Sequence, residues 1–278
     1  MFDLVSQGTL KLHRVEILIL DEADHMLDLG FIKDIRDLMK HLPGKRQTLF
    51  FSATIDEKIK KIAYSLVTNA IRIQISPKDP VARNIEHGVA FIKMEDKRFF
   101  LENVIRNNPE KKILVFVRTK VRAERVSKAM DRVGIKSDTI HGDKEQSTRE
   151  MTMQRFRKGE AMVLIATDVS ARGIDIPNVE FVVNYDLPES PEHYVHRVGR
   201  TGRGVNKGKA ISFCSEEEKE ILSGIEERLG KAIPRLELSE DTYSDTIELS
   251  VTNEQTDWQS LLDQEEAFQK SRKKKKRK

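Results

Sequence analysis

The chain has 278 residues, 38% of them hydrophobic, a net charge of +4 and a single cysteine, Cys214. One cysteine excludes an internal disulfide or a cysteine-based zinc site within one chain, and no apolar run approaches the ~20 residues of a membrane helix. The charge is uneven: SRKKKKRK at the end carries +7 and residues 236–270 carry −9, which leaves +6 on residues 1–235, a mildly basic body suited to a polyanionic partner. MFDLVSQGTLKLH lacks the basic start and long apolar block of a signal peptide, so a reducing cytoplasm is the expected compartment, with no membrane contact.

In chain order, the apolar, β-branched runs EILIL (16–20), TLFFSA (48–53) and IRIQI (71–75) read as strands. Between the first two, FIKDIRDLMKHL (31–42) spaces Ile32, Ile35, Leu38 and Met39 on one helical face. SPKDPVARNI (76–85) holds two prolines and reads as a linker. Beyond it, strands are expected at 88–92, 112–117, 162–167, 181–185 and 209–214, with helices over 121–134, 146–159 and 216–230. Continuous rather than alternating apolar runs imply strands buried on both faces of a parallel sheet, and their alternation with helices implies an α/β fold. Residues 1–75 have too few strands for a whole domain, 86–235 are the size of one, and 236–278 read as an acidic, then basic, disordered tail. A short helix over 257–270 would place Trp258, Leu261, Leu262 and Phe268 on one side.

ILILDEAD (17–24) runs an apolar strand into three carboxylates. Ligands of open α/β sheets bind at the carboxyl ends of strands, where Asp21 and Glu22 could meet a divalent cation and nucleotide phosphates. The plainer alternative is a turn at Asp21 and a helix cap at Asp24. The next strand ends in Phe51-Ser52-Ala53-Thr54. HYVHRVGRTGRG (193–204) sets Arg197, Arg200 and Arg203 three apart, which on a helix gives one broad basic face beside His196. Gly199, Gly202 and Gly204 among them would let an anion approach the backbone. IATDVSARGIDIP (165–177) closes a strand with a hydroxyl, an acid, an Arg-Gly step and a second acid.

DEAD (21–24), SAT (52–54), ATDVSARGIDIP (166–177) and HRVGRTGR (196–203) resemble, in order and spacing, motifs II, III, V and VI of the DEAD-box ATP-dependent RNA helicases of superfamily 2. Phe116 in LVFVRT is similar to motif IV, and Gln146 with Arg149 to the QxxR element. The resemblance covers residues 1 to about 235 and is to bacterial members with a short basic tail. It implies the second half of one RecA-like domain followed by one complete RecA-like domain. It implies that Asp21 holds Mg²⁺ and that Glu22 orients the attacking water. Asp24, Ser52 and Thr54 would link nucleotide state to the second domain, and Asp175 would accept a hydrogen bond from the ATP ribose. Arg200 and Arg203 would reach the γ-phosphate as arginine fingers, and His196 and Arg197 would couple the motifs. Thr167, Arg172, Gly173, Gln146, Arg149 and Arg118, with Thr119 a weaker candidate, would hold single-stranded RNA through its backbone, without reading sequence. Ribosomal or RNA-decay complexes are the partners such proteins imply.

One departure is large. A motor of this kind needs G-x-x-x-x-G-K-[ST], and Gly44-Lys45, Gly208-Lys209 and Gly230-Lys231 all lack the upstream glycine and the following hydroxyl. The sequence is expected to begin midway through the first RecA-like domain and to be inactive alone. The alternatives are a non-catalytic RNA-binding or regulatory product and, more distantly, a DNA helicase or remodeller. His141 in TIHGD is expected in a loop or near RNA rather than on a metal. The basic tail is expected to add salt-sensitive RNA affinity, although a nuclear signal would look the same.

Overall fold

A computed structural model describes residues 4–5, 7–28, 30–52, 57–75, 81–171, 179–202 and 206–250. Thr54, Arg172, Gly173, Asp175, Arg203, Gly204, half of the linker (76–80) and everything from 251 onward, including the helix expected over 257–270 and the basic tail, lie outside the described residues. The chain divides into two compact units, Met1–Ser76 and Pro77–Lys278.

The first unit carries two parallel strands, β1 (Ile17–Leu20) and β2 (Gln47–Phe50), in register from Ile17↔Gln47 to Leu20↔Phe50. Helices α1 (Ala23–Asp28), α2 (Ile32–Lys40) and α3 (Glu57–Leu66) accompany them. Leu20, Ile35 and Leu66 form a small core, backed by Leu18, Met26, Met39, Phe50 and Ile62. Two expectations fail here. β1 is buried on one face only, since Ile17 and Ile19 stay 54% and 58% exposed. The strand expected over 71–75 does not form: Ile71, Ile73 and Ile75 are more than 80% exposed and the segment does not join the sheet. An alternating apolar stretch becomes a strand only where an edge receives it.

The second unit is a six-stranded, all-parallel sheet in the order β3-β8-β7-β4-β6-β5. Its strands are β3 (Ile85–Phe91), β4 (Ile113–Phe116), β5 (Asp138–Ile140), β6 (Val163–Ala166), β7 (Phe181–Asn184) and β8 (Gly208–Cys214). Its helices are α4 (Lys97–Arg106), α5 (Lys120–Arg132), α6 (Gln146–Lys158), α7 (Asp168–Ala171), α8 (Pro191–Val198) and α9 (Lys219–Leu229). Period two sorts the central strands between two cores. Leu114, Phe116, Leu164, Ala166 and Val182 pack with Phe156, Tyr194, Val198 and Ile225 from α6, α8 and α9. Ile113, Val115, Val163, Ile165 and Val183 pack with Leu101, Ile105, Val126 and Met130 from α4 and α5. The continuous apolar runs are therefore buried on both faces, as a sheet between two helical layers requires.

Local chemistry sets the helix ends. Thr119 caps α5, its hydroxyl accepting from Arg122 N at 3.1 Å, and Ser190 caps α8 with Pro191 in the first turn. Gly159 ends α6 in the left-handed conformation, at φ 77°.

The acidic stretch after 236 is not disordered throughout. Residues 240–250 are helical, with Ser239 Oγ accepting from Thr242 N at 3.1 Å. Thr246 and Ser250 are buried and Tyr243 half-buried, one face at helical spacing. The Tyr243 ring lies 4.8 Å from that of Phe100, and its hydroxyl donates to Asp96 at 2.8 Å. Tyr243, with Leu238, packs this segment against the core of the second unit.

Candidate functional site

In the first unit the acids occupy the carboxyl end of β1. Phe51 N donates to Leu20 O at 2.8 Å and Ala23 N to Phe51 O at 3.0 Å, so the exits of β1 and β2 are tied and Ser52 emerges beside the acids. Asp21 is exposed and accepts from the Glu22 backbone N–H at 2.8 Å, the short-range turn that the plainer reading expects. Glu22 is half-buried and its φ is +50°, a left-handed backbone uncommon for a residue with a side chain. Such strain costs on the order of 1 kcal/mol or more and concentrates at functional positions. Asp24 is buried in the first turn of α1.

Among the described residues no group of three or more His, Cys, Asp or Glu side chains could cage a metal. The two carboxylates at the end of β1, Asp21 and Glu22, would suit a Mg²⁺ ion that keeps its waters and takes one or two carboxylates plus nucleotide phosphates. Exposed Asp21 at a strand tip fits this mode.

In the second unit the candidate RNA residues gather on one rim. Arg118 follows β4, Thr167 follows β6, and Gln146 and Arg149 open α6 after β5, all at the carboxyl ends of neighbouring strands. Gln146 is exposed, and its Oε1 accepts from Arg149 Nη1 at 3.3 Å, so the two present a joined polar edge. Thr167 is buried but borders that edge, with its N–H donating to Ile140 O at 3.4 Å.

Arg197 is the centre of the rim. Its side chain is 2% exposed. Nε and Nη2 donate to the two carboxylate oxygens of Asp168, each at 2.7 Å, while Nη1 donates to Asp186 O at 2.7 Å. The guanidinium also lies 5.0 Å from the Phe116 ring. A bidentate fork of this kind is strong and geometrically selective. It joins the residues quoted for motifs IV, V and VI within one unit.

Arg197 and Arg200 do not share a helical face, contrary to the expectation from spacing. α8 stops at Val198, Gly199 is its C-cap, and Arg200 lies in the turn beyond, donating from Nε to His196 O at 3.3 Å. Gly202 has a packing reason too: it takes φ +65°, and a side chain there would collide with Ile85. It was weaker evidence for an anion than its position among arginines suggested.

Four residues that the motif reading passed over complete the rim. Lys97, fully buried, donates to Glu218 Oε2 at 2.5 Å and to Tyr185 O at 2.9 Å. Glu218 also accepts from Arg118 Nη2 at 3.2 Å, Leu187 N at 3.1 Å and Ser215 N at 3.0 Å. Asp186 accepts from Arg118 N at 3.0 Å, and Arg122 Nε lies 2.9 Å from its carboxylate, an ion pair by distance. Asn184 Nδ2 donates to Ser212 Oγ at 3.0 Å. Polar residues closing an otherwise apolar run, as in FVVNYD, were the available signal. Burial pushes the Tyr185 hydroxyl up to about 12, with Asp186 and Glu218 adding to the rise and Arg122 and Arg98 opposing it.

His141 follows β5 and its Nε2 lies 2.9 Å from Glu124 Oε1. Burial raises the Glu124 carboxyl, but hydrogen bonds from Thr139, His141 and Lys144 outweigh it and bring the pKa down to about 2. A lowered carboxylate contributes stability that is complete above its unfolded value near 4.5 and is lost as pH falls towards 2. Glu124→Gln is expected to flatten the acid limb of stability between those values, which urea unfolding at pH 7 and pH 3 measures. An equally steep limb in the variant would contradict the assignment.

Comparison with known proteins agrees with this geometry. Residues 1–62 match the DEAD/DEAH box helicase family model and residues 96–205 the helicase conserved C-terminal domain. The chain is 43% identical over 237 residues to the ATP-dependent RNA helicase DbpA of Bacillus subtilis, covering 85% of this chain and 50% of that protein. It is 41% identical to the ATP-dependent RNA helicase CshA of Listeria monocytogenes, covering 85% and 46%. The chain thus spans about half the length of the curated relatives it matches. Among solved structures, S. cerevisiae Dbp5 bound to RNA and ADP BeF3 superposes with a TM-score of 0.79 at 32% identity, covering 90% of this chain and 66% of that one. E. coli SrmB bound to the regulator of ribonuclease activity A superposes at 0.51 with 33% identity, covering 55% and 91%. With family models and relatives in agreement, the chain belongs to the DEAD-box helicase family.

Proposed function

We propose that this chain is part of an ATP-dependent RNA helicase in which the rim of the second unit grips single-stranded RNA by its backbone. The observation that carries the reading is the Arg197–Asp168 fork, which locks the turn after β6, with Thr167, to α8 and the Arg200 turn. A rim so fixed offers Thr167, Gln146, Arg149 and the partly exposed Arg118 guanidinium as a preformed surface for phosphates and 2′-hydroxyls. The S. cerevisiae Dbp5 structure bound to RNA and ADP BeF3 supports the same ligands here.

In the first unit, Asp21 is the residue proposed to hold Mg²⁺, which when bound supplies charge neutralisation at the phosphates. Glu22, held by its left-handed backbone at the strand tip, accepts the proton of the attacking water and orients it. Ser52 and Asp24 relay that site to the rest of the unit. Arg200, with Arg203, stabilises charge developing on the transferred phosphoryl group, and Asp175 receives the ribose. Hydrolysis of ATP and release of phosphate drive the cycle of RNA binding and release. Ribosomal or RNA-decay assemblies in the cytoplasm are the proposed setting; among the described residues no helix is long and apolar enough to cross a membrane.

Turnover also requires a phosphate-cradling loop, and these 278 residues contain none. The purified chain is therefore expected to show no RNA-stimulated ATP hydrolysis above background. Robust turnover in that assay would overturn the assignment of the catalytic steps.

A further inference from the structure

Helix α5 carries a feature that the rim does not use. Val121, Arg125, Lys128 and Arg132 are all exposed. At 100° per residue they fall within about 60° of arc, a narrow stripe along the outer face. Ala123, Val126, Ser127 and Met130 occupy the opposite, buried face. Lys136, also exposed, extends the stripe past the helix end.

The cations of the stripe differ from those nearby. On α6, Arg155 pairs with Asp138 at 3.1 Å and Lys158 lies 3.9 Å from Glu160. On α5, Lys120 pairs with Asp143 at 2.6 Å. Arg125, Lys128, Arg132 and Lys136 have no carboxylate within ion-pair distance among the described residues. Glu124, on the stripe's flank, is occupied by Lys144 at 3.0 Å and by His141.

Position adds the second argument. α5 starts where β4 ends, at the Thr119 cap beside Arg118, and leads to the next parallel strand, so it runs from the RNA rim towards the opposite edge of the sheet. The stripe is continuous with the rim at one end. Between Arg125 and Arg132 it extends about 10 Å.

We propose that the α5 stripe is a second RNA track, holding the phosphates of single-stranded RNA that extends beyond the rim. This rests on the reading of the rim as an RNA surface, and it assigns Arg125, Lys128 and Arg132 a role without base recognition. Longer RNA then binds more tightly than RNA that fills the rim alone.

The test compares the whole chain with a triple variant, Arg125→Gln, Lys128→Gln and Arg132→Gln, binding a 10-nucleotide and a 30-nucleotide single-stranded RNA across a salt series. Glutamine keeps helix propensity at exposed positions, and an unchanged thermal midpoint verifies folding. Loss of three single-strand phosphate contacts lowers the slope of log K against log salt by about 2, and the 30-nucleotide affinity falls about ten- to hundredfold at ~0.1 M salt. The 10-nucleotide affinity stays unchanged. Equal slopes and affinities for the 30-nucleotide RNA in both proteins would show a merely solvated basic face and overturn the proposal. So would a stripe-dependent binding of polyglutamate with no effect on RNA, which would point to an acidic protein partner. Failure of the unaltered chain to bind the short RNA, with stripe-dependent binding of the long one intact, would overturn the rim and leave the track standing.

Discussion

Replacing Arg197 with alanine is expected to destabilise the second unit by about 3–5 kcal/mol, the cost of breaking a buried pair from one side. Asp168 would lose both donors of its fork, and Asp186 O a third hydrogen bond. The thermal midpoint should fall by roughly 6–20 °C for a unit of this size. Arg197→Lys keeps the charge and loses the fork, so it should land between the two. Because the fork positions the Thr167 turn, RNA affinity should weaken in both variants even where they remain folded. Thermal unfolding and RNA titration check both parts; an alanine variant within 1 kcal/mol of the parent would contradict the buried-fork account.

The second large effect belongs to Glu218. Its alanine variant leaves the Lys97 ammonium fully buried with Asp186 at 3.8 Å as its remaining carboxylate. About 3–5 kcal/mol of stability should be lost, by the same asymmetry. Removing both charges, as Lys97→Met with Glu218→Leu, should recover much of that loss, since neither desolvated ion remains. The double variant tested by urea unfolding is thus expected to be more stable than Glu218→Ala alone. Losses that simply add would mean that the two groups do not interact, against their 2.5 Å contact.

What was legible in the sequence follows from what kind of force set each feature. The strands of the second unit were readable because burial on both faces leaves continuous apolar runs such as ILVF and VLIA. The three-residue β5, DTI, was not readable, since one isoleucine at a sheet edge gives no run at all. α4 was passed over because Lys97 and Glu102 interrupt its apolar pattern; Lys97 is buried through an ion pair with Glu218 that only the fold supplies, and Glu102 pairs with Arg106 one turn on in the same helix. The motif residues stood out as chemistry out of place, such as carboxylates at the end of an apolar strand. Their partners did not, because the Arg197–Asp168 pair spans 29 residues and the Lys97–Glu218 pair 121. The helical face drawn from Arg197 to Arg200 failed at Gly199, where α8 ends.

The account turns on the second unit recognising RNA through its backbone and its 2′-hydroxyls. The most direct measurement is competition between single-stranded RNA and DNA of one sequence for the purified chain at a fixed salt concentration. The basic tail contributes to both through phosphates alone and cancels in the ratio. RNA is expected to compete clearly better than DNA, and the advantage should shrink when Gln146 and Arg149 are both replaced by alanine. Equal competition by the two nucleic acids would contradict the account.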